Sequence, residues 1–410
     1  MPPQPEQRSP SLAPWLTLAG VVTLVVWWLW PARGTPDVDI WLGWMNALLT
    51  HGPVHGYATT GTDYPPGSLV TLWLVGHFAS AGGVDHHLAL KFLVLACLVA
   101  TTAILAVATR RVLIALFGFL ACALSALGLM YFDILFAPFI LGAVWAARSR
   151  QLTLMLVLLV MGCLMKWQPV FILPFAVIYA IRQRDVMPRL DWNRSIRWAV
   201  AISVILLAGI AIVWGWPVID SFYKASRHNT KSSFGANPLW VLTWWQQRGT
   251  AERISADGIV SIVYAGRPML RALTLLTIIG FWAALRAYWK SRDGSVEAWL
   301  RYSLVGYLVY FLVSAGVHEN HLFLAGLLAI ALAWQHRRWW WVAATIAVAA
   351  NLNLIAFYGW SGFIVRQKFA GLDLTVWLAI AISATLATIS VVLVRRRDAP
   401  SVEPHGAPGF

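Results

Sequence analysis

Charged residues are scarce in this chain of 410 residues. Asp, Glu, Lys and Arg together make up 12% of it, whereas hydrophobic residues make up 59%. Soluble globular proteins carry about 25% charged residues, so the composition excludes that class. Apolar runs recur at lengths near the roughly 20 residues that cross a bilayer, which predicts an all-α polytopic membrane protein.

Cysteine is scarce as well. The three cysteines, Cys97, Cys122 and Cys163, all lie inside apolar runs. An odd number at such positions indicates small side chains packed among helices and gives no sign of a disulfide framework.

Acidic residues are few, 17 against 31 lysines and arginines, which gives a formal net charge of +14. The arginines cluster where apolar runs end, at Arg110/Arg111, Arg148/Arg150, Arg182/Arg184, Arg337/Arg338 and Arg395–Arg397. This distribution is typical of cytoplasmic loops in membrane proteins. We therefore expect membrane lipids as partners and no nucleic acid.

The apolar runs predict about twelve membrane helices. They cover residues 14–31, 88–108, 112–128, 132–147, 152–165, 168–182, 197–216, 265–288, 299–316, 321–336, 339–356 and 374–394. We expect a cytoplasmic N-terminus (1–13), a single membrane domain (14–394) with outer loops 32–87 and 217–264, and a disordered cytoplasmic tail (395–410).

Two segments of the first outer loop predict helices that lie on the outer membrane surface. If residues 65–79 crossed the membrane, Arg110 and Arg111 would be placed outside, so we interpret this segment as a surface helix, and 39–49 as another. The runs 152–165 and 168–182 are short for a crossing. They predict a hairpin of half-buried helices around Lys166.

Three acids, Asp37, Asp39 and Asp63, follow the first apolar run within 30 residues. Carboxylates beside a bilayer are costly unless they are solvated, paired or used in function. They could be ordinary solvated loop acids or part of a site. On the predicted topology, they share the outer side with five other polar stretches, near Asp133, near Lys166, in 217–264, in 318–321 and in 357–373.

Several short motifs occur in order along the chain. Asp37 is followed by Trp44-Met45, then by Asp63-Tyr64-Pro65-Pro66, and later by Val317-His318-Glu319. This order resembles the glucosyltransferases of asparagine-linked glycosylation that use dolichyl-phosphate-glucose. Lys166-Trp167-Gln168-Pro169 is similar to a Lys-x-Gln run in their bacterial polyprenyl-phosphate-sugar relatives. The wider class is the GT-C glycosyltransferases. Asn320 stands where the family has lysine, and Asn237 lies in a loose match to an Ala-Asn-Phe-Trp element.

Sugar transfer from a lipid phosphate needs a base for the acceptor hydroxyl and cations for the leaving phosphate. The resemblance implies Asp37 as the base, with Asp39 as the second candidate, because the two side chains point to different sides of a helical turn. Asp63 and Tyr64 would order the loop or contact the acceptor. Alternatively, Asp63 caps the helix that follows.

The other candidate residues are expected to bind substrate. Asp133 is either a second acid near the sugar or a cap at the start of the fourth span. Lys166, with Gln168, either binds the lipid phosphate or extends to the interface. The remaining candidates are Lys224, Arg227 and Lys231 on one helix face, Asn237, His318 and Glu319.

The sequence thus predicts an inverting hexosyltransferase. It would transfer glucose or mannose from a polyprenyl-phosphate carrier to a lipid-linked saccharide or another envelope acceptor. The site would lie on the periplasmic face of a bacterial inner membrane, or on an equivalent lumenal face. We expect no cofactor, and no metal, since His318 and His321 lack further ligands. The alternatives are a polytopic lipid or saccharide transporter or flippase, and a saccharide ligase or polymerase.

Overall fold

A computed structural model describes residues 12–227, 230–247, 260, 262–362 and 367–395. The predictions for residues 1–11 and 396–410 lie outside the described residues. The described residues form sixteen α-helices: α1 (Ala13–Leu29), α2 (Asp37–Thr60), α3 (Pro66–Gly82), α4 (His86–Thr109), α5 (Val112–Ala123), α6 (Ala137–Arg148), α7 (Leu152–Met165), α8 (Leu173–Arg182), α9 (Arg189–Trp214), α10 (Trp216–Ser226), α11 (Pro238–Gln247), α12 (Arg267–Ser291), α13 (Val296–Val313), α14 (Leu322–Gln335), α15 (Trp340–Tyr358) and α16 (Leu374–Arg395).

Short strands tie two distant loops together. Strand β1 (Ser232–Ser233) pairs in parallel with β2 (Val317–His318), in a register that places Ser233 opposite His318. Strands β3 (Lys368–Phe369) and β4 (Leu372–Asp373) form an antiparallel pair. The first pair joins the predicted long outer loop to the predicted His-Glu motif.

The helices are those of an integral membrane protein. Six segments of at least 18 residues are apolar enough to cross a bilayer: His86–Thr109, Arg189–Trp214, Arg267–Ser291, Val296–Val313, Arg337–Tyr358 and Leu374–Arg395. Shorter apolar helices cover Ala13–Leu29, Val112–Gly128 and Leu152–Met165. Each of the twelve predicted spans overlaps a helix, which confirms the all-α class, while the count of twelve crossings stays a prediction.

Burial separates central helices from peripheral ones. In α13 and α14 most side chains are buried, polar ones included. In α9 only Ala199 is buried, whereas Ile205 and Ile212 are 69% and 84% exposed. A wide exposed apolar surface on a long helix fits contact with lipid, because exposure of such a surface to water would be unfavourable. The core therefore lies around α13 and α14, and α9 lies at the edge.

The first loop contains the two predicted helices, although the first is longer than predicted. Helix α2 starts at Asp37 and has a break at Gly52, whose φ is +77°, ahead of Pro53. Helices α2 and α3 pack side by side: Met45 and Leu48 are fully buried, and Gly76 leaves room for the Met45 side chain. Their position at the membrane surface stays a prediction.

Four of the arginine clusters lie together at one end of the bundle: Arg110/Arg111, Arg148/Arg150, Arg182/Arg184 and Arg337/Arg338. Arg148 Nη1 donates to Gln335 Oε1 at 2.6 Å, which joins the ends of α6 and α14. Arg182 Nη2 donates to the Tyr288 carbonyl at 2.6 Å, which joins α8 to α12. Glu297 accepts from Arg338. We call this end the arginine face; its cytoplasmic location stays a prediction.

Candidate functional site

Four acids from separate segments occupy the end of the bundle opposite the arginine face. Asp37 lies in the first turn of α2, and Asp63 lies between α2 and α3. Asp133 lies in a 3₁₀ turn before α6, and Glu319 lies in a 3₁₀ turn before α14. Helices α6 and α14 then run toward the arginine face. We call this group of four acids the acidic cluster; it brings three of the predicted polar stretches together, while their location on the outer side of the membrane stays a prediction.

An ion pair between Asp133 and Lys166 forms the centre of the cluster. Lys166 Nζ lies 2.7 Å from Asp133 Oδ2, and Asn320 Nδ2 donates to the same oxygen at 2.9 Å. The Asp133 side chain is fully buried and that of Lys166 is 10% exposed. The alternative interpretations of Asp133 as a helix cap and of Lys166 as extending to the interface are therefore wrong.

The backbone conformation at the end of α7 places Lys166 beside Asp133. Helix α7 ends at Met165, and Lys166 follows in an extended conformation, with φ −158° and ψ 147°. A 3₁₀ helix over Gln168–Ile172 then leads into α8. The prediction that Lys166 lies between two short helices is confirmed.

Aromatic side chains of the motifs pack around this pair. The Trp41 and Phe132 rings stack with their centroids 4.0 Å apart, which joins α2 to the turn that carries Asp133. The Tyr64 ring lies edge-on to Trp44 at 5.5 Å, and Lys166 Nζ lies 5.2 Å from the centroid of the Tyr64 ring. An ammonium over an aromatic face is stabilised by the ring quadrupole. The aromatic residues thus hold three chain segments together at the charged centre.

Burial and neighbouring charges shift two of the acids. Burial raises the pKa of Asp37 above its ordinary value, the positive charge of Lys166 opposes this shift, and the negative charges of Asp63 and Asp133 add to it. Burial raises the pKa of Glu319 to about 8, although a hydrogen bond donated by Tyr131 opposes the rise. A carboxyl group whose pKa lies near neutrality suits proton transfer.

A close backbone approach fixes the start of α2. The Thr35 amide donates to the Leu129 carbonyl at 3.1 Å. Gly362, with φ +92°, lies directly against the Gly34 carbonyl, where a Cβ atom would clash. Only glycine fits at position 362, because of both its φ and this contact. The segment near residue 362 therefore helps to position Asp37, three residues after Gly34.

The His-Glu motif borders the same region. His321 Nδ1 lies 2.9 Å from the Tyr310 hydroxyl and 3.3 Å from the His318 amide. The His318 and His321 rings lie with centroids 5.2 Å apart. In the part of the chain that the structure describes, no group of three His, Cys, Asp or Glu residues is arranged to hold a metal. The expectation of no metal and no cofactor stays a prediction.

A cleft of about 340 Å³ opens beside the ion pair. Its polar lining includes Asp63, Tyr64, Lys166, Gln168 and His321. Gln168 is 7% exposed, and neither atom of its side-chain amide has a hydrogen-bond partner among the described residues. Buried amides nearly always have partners. Gln168 therefore offers a donor and an acceptor to a molecule bound in this cleft.

A larger cleft of about 950 Å³ adjoins the first and shares Thr274, Ile278 and Ser314 with it. Arg227, Arg267 and Arg271 also line it. Aliphatic side chains and guanidinium groups thus line a cleft that adjoins the one beside Lys166.

Other predicted residues lie apart or have structural contacts. Asp39 is exposed on the side of α2 opposite the half-buried Asp37, which confirms that the two side chains point in different directions. Asn237 is fully buried; its amide donates to the Phe311 carbonyl at 3.0 Å and its oxygen accepts from the Trp240 amide at 3.2 Å. Asn237 therefore holds a loop in place.

The prediction of a single cationic helix face is wrong. Helix α10 ends at Ser226, so of the three cations only Lys224 is helical. Lys224 pairs with Asp220 at 2.8 Å. Arg227 lies over the Tyr223 ring at 3.9 Å, and the buried Lys231 donates to Gln246.

The sequence analysis did not identify Tyr131, or Arg267 and Arg271, as candidates. Tyr131 is separated from Asp133 by one residue in the same polar interval, so its position could have indicated that it belongs to the site. The two arginines are one turn apart at the start of α12, which the prediction treated as a membrane boundary. Asn320 was noted only as a departure from the family pattern.

Comparison with known proteins adds no assignment. No protein-family profile matches the chain. No curated protein sequence matches it either.

Proposed function

We propose that this protein is a membrane glycosyltransferase that takes a hexose from a polyprenyl-phosphate carrier. The observation that carries the proposal is the acidic cluster around Lys166, which lies beside a cleft at one end of a bundle of apolar helices. Such a site combines a proton acceptor, a buried cation and access for a lipid tail. These are the requirements for transfer from a lipid phosphate.

Asp37 is the proposed general base. Its carboxyl is half-buried and its pKa is raised, so it holds a proton more readily than a solvated aspartate. The acceptor oxygen would attack the anomeric carbon on the side opposite the phosphate while Asp37 takes the hydroxyl proton. The bond between that carbon and the phosphate oxygen would break, and its electron pair would leave with polyprenyl phosphate. One displacement of this kind inverts the anomeric configuration.

Lys166 and the arginines of the larger cleft are the proposed phosphate ligands. A lysine ammonium has three donors, and Asp133 uses one of them, so Lys166 can bind a phosphate while it stays paired. Arg227, Arg267 and Arg271 line the cleft that adjoins the one beside Lys166. The amide of Gln168 would bind a sugar hydroxyl.

The test uses the purified full-length protein in liposomes with membrane lipid extract as acceptor. Polyprenyl-phosphate-glucose and polyprenyl-phosphate-mannose, both radiolabelled in the sugar, are offered separately. We expect label in a new lipid product with one of the two donors, release of polyprenyl phosphate in equal amount, and inverted configuration in the product. Absence of transfer from both donors, with donor translocated intact across the liposome, would favour a transporter.

A further inference from the structure

A third cleft, of about 860 Å³, lies on the arginine face, at the end of the bundle opposite the acidic cluster. The starts of α1 and α15, the turn between α4 and α5, and most of α5 form it. Its apolar walls include Trp15, Leu116, Phe117, Leu120 and Trp340. The Phe117 and Trp340 rings, both in its lining, meet edge-on at 5.1 Å. The cleft is thus mostly apolar, although it lies at the most basic end of the molecule.

Three arginines, Arg110, Arg111 and Arg337, line the cleft, and all three are exposed. Among the described residues, the ion pairs of the arginine face involve Glu297, which pairs with His336 and Arg338, and no carboxylate pairs with these three. Burial and the positive charge of Arg111 both lower the pKa of nearby Arg148. Like charges this close repel one another, so an anion bound among them would be stabilising.

On the predicted topology, the cleft lies at the membrane boundary. Arg110 directly follows α4, which is long and apolar enough to cross a bilayer, and Arg337 begins another such segment. Beyond the arginines, Leu113 is 74% exposed and Leu120 is 44% exposed along α5. An occupant of this cleft would therefore have an anionic group at the boundary and apolar chains within the bilayer.

We propose that this arginine cleft binds one anionic phospholipid. The phosphate diester lies among Arg110, Arg111 and Arg337, and the acyl chains lie along Leu116 and Leu120. Guanidinium groups suit this role because their planar donors match phosphate oxygens. The site is independent of the proposed sugar transfer, since it lies at the opposite end of the bundle.

The test is native mass spectrometry of the delipidated full-length protein, titrated with phosphatidylglycerol or phosphatidylcholine. We expect one phosphatidylglycerol to bind more tightly than phosphatidylcholine. The triple variant Arg110→Gln/Arg111→Gln/Arg337→Gln should lose this preference, with affinity for phosphatidylglycerol lowered by roughly 100-fold if the three charges contribute as interfacial cations usually do. The control variant Arg189→Gln/Arg286→Gln/Lys290→Gln removes three exposed cations outside the cleft and should keep it.

Three results would overturn the proposal. Equal binding of the two lipids by the wild type would show that the cleft does not select for negative charge. An equal loss of phosphatidylglycerol affinity in the control variant would show a general attraction to basic residues. Displacement of the lipid by glycerol phosphate at the same concentration would show that the acyl chains are not held. Size-exclusion profiles and melting temperatures of both variants should be measured to check that each remains folded. Leu116→Trp gives a second test: it fills the cleft, keeps the charges, and should weaken lipid binding.

Discussion

The ion pair between Asp133 and Lys166 gives the sharpest test of the structure. Because both side chains are almost completely buried, Asp133→Asn would leave an ammonium group in the interior without its closest counter-charge. Breaking a buried pair by removing one partner usually costs about 3–5 kcal/mol. The Asp37 carboxylate, which also interacts with Lys166, compensates in part. We therefore expect Asp133→Asn to lower the free energy of unfolding by about 3 kcal/mol, the lower end of this range.

The assay is a double-mutant cycle on the detergent-solubilised protein, with the free energy of unfolding measured by titration with a denaturing detergent. Asp133→Asn and Lys166→Met should each destabilise the protein, and the double variant should lose clearly less than the sum of the two. The matched control is the pair of Asp220 and Lys224, whose side chains are 44% and 43% exposed. Asp220→Asn should cost only about 0–1 kcal/mol. A cost for Asp133→Asn no larger than the control, or strictly additive losses, would refute the buried pair.

Three further predictions follow from the same region. The pKa of Glu319 is about 8 in the folded protein and near its ordinary value of 4.5 in the unfolded chain. The melting temperature should therefore fall as pH rises from about 4.5 to 8, and the fall should be smaller in Glu319→Gln. Gly362→Ala should lower sugar transfer and melting temperature together, because a Cβ atom would displace the segment before Asp37; unchanged values of both would refute the close approach. Single-cysteine labelling should report Ser149 in the cytoplasm and Ser80 outside, and a cytoplasmic Ser80 would make 65–79 a span.

Local patterns predicted much of the fold. Apolar runs gave helices near their observed bounds, as in α4 and α16, because a helix in a bilayer must satisfy its own backbone groups and so needs an uninterrupted apolar segment. The different environments of Asp37 and Asp39 follow from the rotation of about 200° between residues two apart on a helix. The position of Lys166 between short helices was also predictable, because a charge interrupts the apolar run there.

The partners of these residues were not predictable from local patterns. Asp133 was expected at the start of a regular helix, but α6 starts at Ala137, and the preceding turn is buried against residues far along the chain. The contact of Asn320 with Asp133 joins positions separated by 187 residues. Such contacts depend on how helices pack, which a single sequence does not encode at short range. The end of α10 at Ser226 likewise has no capping residue that marks it.

The proposed role of Asp37 is to remove the proton of the acceptor hydroxyl during sugar transfer. Asp37→Asn keeps the shape and hydrogen bonding of the side chain but removes its basicity. The measurement is the turnover rate for transfer from the accepted donor in liposomes, with Asp39→Asn as the matched control, since Asp39 is exposed on the other side of the same helical turn.

We expect Asp37→Asn to lower turnover by roughly 100-fold or more, the usual contribution of a general base. Donor affinity and protein yield should stay near wild type, and Asp39→Asn should change turnover little. Near-normal turnover in Asp37→Asn would contradict the proposed role of Asp37 as the base, and loss of turnover in Asp39→Asn alone would transfer that role to Asp39.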